Sequence, residues 1–196
     1  MRRRSITIAL ALAAVLWCAT VGIAYQKVRL FETTPGRAAD STGAWPAASR
    51  LPRQGGKWTL VMLVHPHCSC SRASVKELEE IVDHAPASLQ TFVVFYRPHD
   101  AAPGWERTDV VDAASHLHRA RIVIDDDGRE ARVFGGFTSG QTYLYDADGG
   151  LRFAGGITSL RGHAGRNSGS VEVINIASTR AGKGTHPVFG CAIIPR

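Results

Sequence analysis

Three cysteines are the residues of this chain whose type and spacing could do chemistry. Cys68 and Cys70 stand two positions apart, after a predicted buried strand and before a predicted helix, and Cys191 lies near the end of the chain. The first turn of a helix presents free N–H groups and partial positive charge, which stabilise a thiolate and lower its pKa. A thiolate attacks a disulfide sulfur, and a neighbouring thiol then releases the mixed disulfide. The spacing therefore predicts thiol–disulfide exchange, with Cys68 as the attacking thiol and Cys70 as the resolving thiol.

Metal binding is a second interpretation of the same region. Thiolate and imidazole groups suit soft Cu(I) and also Zn(II). The candidate ligands are His67, Cys68, Cys70, His163, His186 and Cys191. Under this interpretation the protein is a copper-binding metallochaperone, whereas thiol–disulfide exchange needs no cofactor. A third interpretation is that the thiols are inert, since cysteine is often buried in protein cores, and the domain is then a non-catalytic interaction module.

Residues around the cysteine pair supply candidate accessory groups. His67 and Ser71 flank the pair, and His163 lies in a glycine-rich loop, where it is either a proton donor near the thiols or a surface histidine. Cys191 has no partner near it in the sequence. It is either a third redox thiol that exchanges a disulfide with the cysteine pair, or a small buried residue.

The elements that must position these residues alternate between strands and helices. Continuous apolar runs at 58–64 and 89–96 are typical of strands buried on both faces. An apolar stripe at helical spacing predicts a helix over 71–84. Further along, the pattern predicts helices at 108–118, 129–134 and 167–180 and strands at 121–124, 141–145 and 151–155. The order β-α-β-α-β-α-β-β-α predicts an α/β sandwich with a mixed sheet.

The cysteine pair and its surroundings resemble a known superfamily. The stretch 57–97, a strand, a His-Cys motif, a helix and a strand, resembles thioredoxins of the membrane-tethered TlpA/redoxin type, and the similarity covers about residues 57–156. More narrowly, HPHCSCSRAS, GGITSLRGHAGRNSG and PVFGC resemble bacterial RedB-type thioredoxin-like proteins. The resemblance implies a thioredoxin-like three-layer sandwich with a central mixed sheet over 56–196, including a C-terminal extension. It also implies thiol–disulfide oxidoreductase activity.

Two departures from the family pattern concern the site. The family motif is C-x-x-C, and its second cysteine aligns here either with Cys70, one residue early, or with Ser71. The family also has a cis-proline in a loop that faces the cysteines and binds the substrate backbone. That place falls on Ser139 and Gly140, which the resemblance therefore implies as substrate-loop residues. Because glycine has no Cβ, we expect a more flexible loop and a looser site.

The N-terminal segment has the composition of a membrane element. Arg2 to Arg4 precede 22 uncharged residues, and about 20 of these are apolar, which is enough to cross a bilayer. The arginines favour a cytoplasmic N-terminus. We predict that 1–29 is a single-pass anchor of the cytoplasmic membrane with the domain in the periplasm. The alternative is a cleaved signal peptide and a secreted domain. The Pro-, Gly- and Ala-rich residues 30–55 are predicted to be a flexible linker.

The distribution of charge argues against a nucleic-acid partner. The chain carries a formal net charge of +6 at pH 7, but the excess lies in residues 1–55, which hold eight basic and two acidic residues. Residues 56–196 hold fifteen of each sign. Nucleic-acid-binding domains carry their positive charge on the folded body. The expected partners are therefore protein thiols or disulfides in the periplasm.

Overall fold

The computed structural model describes residues 2–194, and the chain divides into two compact units, of which the first ends at Thr34. The first unit is one helix, α1 (Arg2–Thr33). Its stretch Arg3–Thr33, with a mean hydropathy of 2.3 in its most apolar window, is long and apolar enough to cross a membrane. Both a membrane anchor and a signal sequence fit this helix. It continues four residues beyond the segment 1–29 that the sequence predicted.

The second unit, Pro35 to the C-terminus, is an α/β domain. Its strands are β1 (Thr59–Val64), β2 (Gln90–Arg97), β3 (Ala120–Asp126), β4 (Gln141–Tyr145), β5 (Leu151–Gly155) and β6 (Gly184–Thr185). Its helices are α2 (Ser71–His84), α3 (Asp109–Ser115), α4 (Arg129–Val133) and α5 (Ser168–Thr179). Every predicted element except the N-terminal one matches within a few residues, and β6 was not predicted.

The strands form one mixed sheet in the order β3-β2-β1-β4-β5-β6. The pairs β1–β2, β2–β3 and β5–β6 are parallel, whereas β1–β4 and β4–β5 are antiparallel. Strand β1 therefore lies inside the sheet. The turn that follows it lies at the carboxyl ends of the parallel strands β1, β2 and β3. The chemistry-bearing cysteines lie in that turn.

Each face of the sheet is covered by its own apolar cluster. Leu60, Met62 and Val64 of β1 pack with α2, α3 and α5 on one face. Val61 and Leu63 point to the opposite face and pack with α4 and with residues that precede β1. Strand side chains alternate between faces, so a strand buried on both sides reads as a continuous apolar run. The result is the three-layer sandwich predicted from the sequence.

The segment predicted to be a flexible linker packs against the domain instead. We call residues 35–55 the strap. Its backbone N–H groups at Gly36, Asp40 and Trp45 donate to carbonyls of the domain body at distances of 2.7–2.8 Å. Leu51 is buried, and the Trp45 ring lies edge-on to Phe134 at 5.2 Å. These few apolar and hydrogen-bonding anchors fix a segment whose overall composition is typical of linkers.

The C-terminal residues run back along the domain toward the cysteine turn. We call residues 186–194 the tail. The tail follows β6, and the N–H of His186 donates to the Ala154 carbonyl at 3.3 Å. Further on, Cys191 and Ile193 hydrogen-bond the loop that precedes β4. The tail brings Cys191 to the same end of the sheet as the turn after β1.

Candidate active site

The two motif cysteines lie in a tight turn between β1 and α2. The Cys68 N–H donates to the His65 carbonyl at 3.1 Å, and the Ser71 N–H donates to the Cys68 carbonyl at 2.9 Å. Cys70 immediately precedes α2 and already has helical backbone angles. Both cysteines are buried. The turn therefore holds both side chains within the fold rather than on an exposed loop.

The structure brings all three cysteines of the domain together. The Cys68 Sγ lies 2.8 Å from the Cys191 Sγ, and the sulfurs of Cys68, Cys70 and Cys191 lie within 4.8 Å of one another. We call these three residues the thiol cluster. The cluster is the one group of potential metal ligands found among residues 2–194. Sequence reasoning paired Cys68 with Cys70, whereas the shortest contact joins Cys68 to Cys191.

The environment of Cys68 favours its thiolate. Its pKa is lowered to about 5, first of all because the Cys191 thiol donates a hydrogen bond to it. The Ser71 hydroxyl and the backbone N–H groups of Cys191 and Cys70 act in the same direction, while burial opposes them. An ordinary thiol has a pKa near 8.5, so Cys68 is the predominantly ionised cysteine at neutral pH. The sequence predicted a low pKa from the helix terminus, but the tail supplies the largest contribution.

The other two thiols keep their protons. Burial and the negative charge of Cys68 raise the pKa of Cys70. The hydrogen bond to Cys68 raises the pKa of Cys191, and burial adds to this effect. The guanidinium of Arg161 acts weakly in the opposite direction on both thiols. The cluster therefore holds one thiolate and two thiols.

Arg161 is a site residue that sequence reasoning missed. Its guanidinium donates to the Gly190 carbonyl, next to Cys191. In the glycine-rich loop that carries Arg161, the sequence indicated His163 as the candidate accessory residue instead. His163 is exposed, and its ring hydrogen-bonds the carbonyl of Arg161 in its own loop. A single arginine among fifteen basic residues of the domain carries no sequence signal without its position in the fold.

The loop at Ser139 and Gly140 is held firmly at the end of β1. The Ser139 hydroxyl accepts from the His65 N–H at 2.8 Å and hydrogen-bonds the Ser71 hydroxyl at 2.7 Å. The Gly140 N–H donates to the Leu63 carbonyl at 2.8 Å. Gly140 has a φ of +90°, a value that proline cannot adopt. Two hydroxyls and a backbone hydrogen bond thus tie the loop to the end of β1, and the expectation of looser client binding stays a prediction.

The histidines of the motif belong to an aromatic cluster, not to the thiol cluster. The His67 Nε2 lies 2.8 Å from the Trp105 carbonyl oxygen, and the two rings are 4.3 Å apart. His65 stacks on Tyr96, and burial lowers its pKa, which keeps it neutral at pH 7. His186 pairs with a carboxylate of α5. Of the predicted metal ligands, the three cysteines are therefore the ones that the structure brings together.

A shallow pocket of about 270 Å³ gives access to Cys68 from one side. Pro66, His67, Ser69 and Arg72 line it together with the start of α3. A larger cavity of about 590 Å³ lies between α2 and α5 and contains no cysteine. The smaller pocket is the one that bears on the chemistry, because Cys68 is among the residues that line it.

Comparison with known proteins places the fold. No protein-family model matches the chain, and no curated protein sequence matches it. A hypothetical protein from Sinorhizobium meliloti is similar at 16% identity and a TM-score of 0.59, over 82% of this chain and 93% of its own. An uncharacterised conserved protein from Geobacillus kaustophilus has 14% identity and a TM-score of 0.60, over 84% and 93%. A thioredoxin-like protein in its oxidised form has 20% identity and a TM-score of 0.44, over 76% and 93%.

The topology matches what the sequence resemblance implied. Parallel pairing of β1, β2 and β3, antiparallel pairing of β4 with both β1 and β5, and a cysteine turn between β1 and α2 are all present. The fold is thioredoxin-like. The thioredoxin-like domain adds the strap at its beginning and the tail at its end.

Proposed function

We propose that the protein is a thiol–disulfide oxidoreductase whose attacking group is the thiolate of Cys68. The observation that supports this proposal most is the contact of one ionised sulfur with a protonated one at 2.8 Å. The first sulfur attacks a client disulfide, and a second thiol of the cluster is in place to release the client. The pocket beside Cys68 gives a client sulfur a route to the thiolate.

We further propose that the reaction takes place outside the cytoplasmic membrane. The apolar helix α1 and the arginines before it support an anchor with the domain on the periplasmic side. Disulfide chemistry suits that oxidising compartment. The clients are then periplasmic proteins with thiols or disulfides.

Reduction of insulin disulfides by dithiothreitol tests the activity. The full chain in detergent should accelerate the reaction, and Cys68→Ser should reduce the rate to that of dithiothreitol alone. Cys18→Ser is the matched control, because it makes the same substitution in α1, outside the domain that holds the thiol cluster. Retention of activity in Cys68→Ser would overturn the assignment of the attacking thiol.

Copper binding is a second candidate, because three soft sulfur donors lie within 4.8 Å of one another. Cu(I) accepts thiolate ligands of this kind. Under this proposal the residues that would hold the metal are Cys68, Cys70 and Cys191, and His67 would not take part. Competition against a chromophoric Cu(I) chelator tests it. Tight binding of one Cu(I) that Cys70→Ser weakens and His67→Ala leaves unchanged would favour the metallochaperone, and absence of binding would exclude it.

A further inference from the structure

The tail is attached to the loop before β4, residues 137–139, by a short antiparallel ladder. The Ser139 N–H donates to the Cys191 carbonyl at 2.8 Å, and the Ile193 N–H donates to the Phe137 carbonyl at 2.9 Å. Thr138 and Ala192 form the β-bridge between these bonds. The position of Cys191 is therefore fixed by backbone pairing and not by the contact between sulfurs alone.

Close packing beside Cys191 supports the same conclusion. Gly190 lies directly against the Ser139 carbonyl, and a Cβ at this position would overlap the carbonyl oxygen. The Arg161 guanidinium donates to the carbonyl of Gly190 from the other side. The residue before Cys191 is thus held between a loop and a cationic side chain, which leaves the Cys191 side chain directed at Cys68.

We propose that Cys191, not Cys70, is the resolving thiol, and that the oxidised protein contains a Cys68–Cys191 disulfide that fastens the tail across the site. This proposal rests on the proposed function. The two sulfurs are 2.8 Å apart, and a disulfide bond is about 2.05 Å long, so bond formation requires a movement of less than about 1 Å. The bond would link residues 123 positions apart in the sequence.

The reaction balances with the groups present and one external donor. The Cys68 thiolate attacks a client disulfide, which forms a Cys68–client mixed disulfide and releases one client thiolate. Cys191 gives its proton to the departing sulfur, and its thiolate attacks the Cys68 sulfur and releases the second client sulfur as a thiolate, which takes a proton from water. Two electrons pass from Cys68 and Cys191 to the client. A dithiol donor then returns the Cys68–Cys191 disulfide to two thiols.

The geometry explains why Cys191 would act second. Its sulfur lies 2.8 Å from the Cys68 sulfur that the client would occupy in the mixed disulfide. The backbone pairing with the loop before β4 holds Cys191 at that position.

An aromatic disulfide, 5,5′-dithiobis(2-nitrobenzoate), tests the assignment on the full chain in which Cys18→Ser removes the cysteine of α1. The parent should release two chromophores per protein at Cys68 and retain none. Cys191→Ser should release one and keep the second on Cys68, because serine preserves a hydrogen-bond donor but cannot resolve. Cys70→Ser should behave as the parent, and peptide mapping of the oxidised parent should find Cys68 linked to Cys191.

The outcomes separate the two proposals. Retention of the chromophore in Cys70→Ser, with full release in Cys191→Ser, would overturn the role of Cys191 and leave Cys68 as the attacking thiol. Failure of Cys68 to react at all would overturn the proposed function itself. Gly190→Ala supplies a variant with every thiol intact, and the displaced tail should slow the second release by about tenfold or more. An unchanged second release in this variant would contradict the role of the docked tail.

Discussion

At the scale of single residues, the chemistry depends on where one proton sits. Cys68 and Cys191 share a hydrogen bond between sulfurs, which lowers the pKa of Cys68 and raises the pKa of Cys191. A thiol with a lowered pKa is deprotonated above that pKa and protonated below it. Cys68 is therefore reactive across the neutral range and loses its nucleophilicity only in acid.

The pH dependence of alkylation checks this arrangement. The rate at which iodoacetamide modifies Cys68 should rise through a midpoint near pH 5 and stay level at neutral pH, because the pKa of Cys68 is about 5. Cys191→Ala removes the main hydrogen-bond donor, so the midpoint should move upward toward the ordinary value for cysteine, near 8.5. Peptide mapping at each pH identifies the modified residue.

Cys191→Ser is the matched control for this measurement. Serine keeps an O–H donor at the same position, so the midpoint should stay closer to that of the parent than in Cys191→Ala. Equal midpoints in both variants and the parent would show that the tail does not govern the ionisation of Cys68.

The hydroxyl of Ser139 stabilises the site. Ser139 is buried, and it joins the N–H of His65 to the hydroxyl of Ser71. Ser139→Ala leaves that N–H without an acceptor, so the free energy of unfolding should fall by about 1–3 kcal/mol. Denaturant unfolding measures this change, and exposed Ser69→Ala should change stability by less than about 0.5 kcal/mol. Equal effects of the two substitutions would contradict this role.

At the scale of elements, the strap contributes to the stability of the thioredoxin-like domain. A chain that begins at Pro35 keeps Leu51 and Trp45, whereas one that begins at Gly56 loses both. Loss of a buried leucine and of the aromatic contacts of Trp45 should lower the free energy of unfolding by about 3 kcal/mol. Denaturant unfolding of the two chains measures the difference, and equal stability would show that the strap is only a connector.

Elements with a period were predictable from the sequence, and long-range contacts were not. The apolar run of β1 and the stripe of α2 report burial directly, so their bounds agree with the structure. The strap and the tail have no period, since each is held by a few anchors. The contact between Cys68 and Cys191 spans 123 positions, and no local pattern encodes it. The hydrogen bonds of Ser139 were likewise hidden, because its partners His65 and Ser71 lie about 70 positions earlier in the sequence.

At the scale of the whole molecule, the positive charge and the apolar helix lie together at the N-terminal end. The net charge of +6 belongs to residues 1–55, and α1 carries large exposed apolar side chains such as Leu16, Trp17 and Ile23. Exposed apolar surface of this extent indicates contact with a membrane or another apolar partner. Residues 56–196 hold equal numbers of basic and acidic residues.

Membrane partitioning tests the role of α1. The full chain should remain in the membrane fraction after a high-salt wash and enter solution only with detergent, whereas a chain that begins at Pro35 should be soluble without it. Burial of about 20 apolar residues in lipid resists salt, unlike attachment through charge alone. A soluble product with a new N-terminus near Tyr25 would show instead that the segment is a cleaved signal peptide.

The close approach of the tail also has an evolutionary consequence. A Cβ at Gly156 would lie 2.6 Å from the Pro187 carbonyl, and one at Gly190 would overlap the Ser139 carbonyl. These glycines have little reason to persist in a descendant that loses Cys191, because no tail thiol then has to be held in register. Among homologues, Gly156, Gly190 and Cys191 should therefore be retained or lost together, and Cys68 should be present wherever Cys191 is present. Such co-variation would show that the glycines are kept for the position of Cys191.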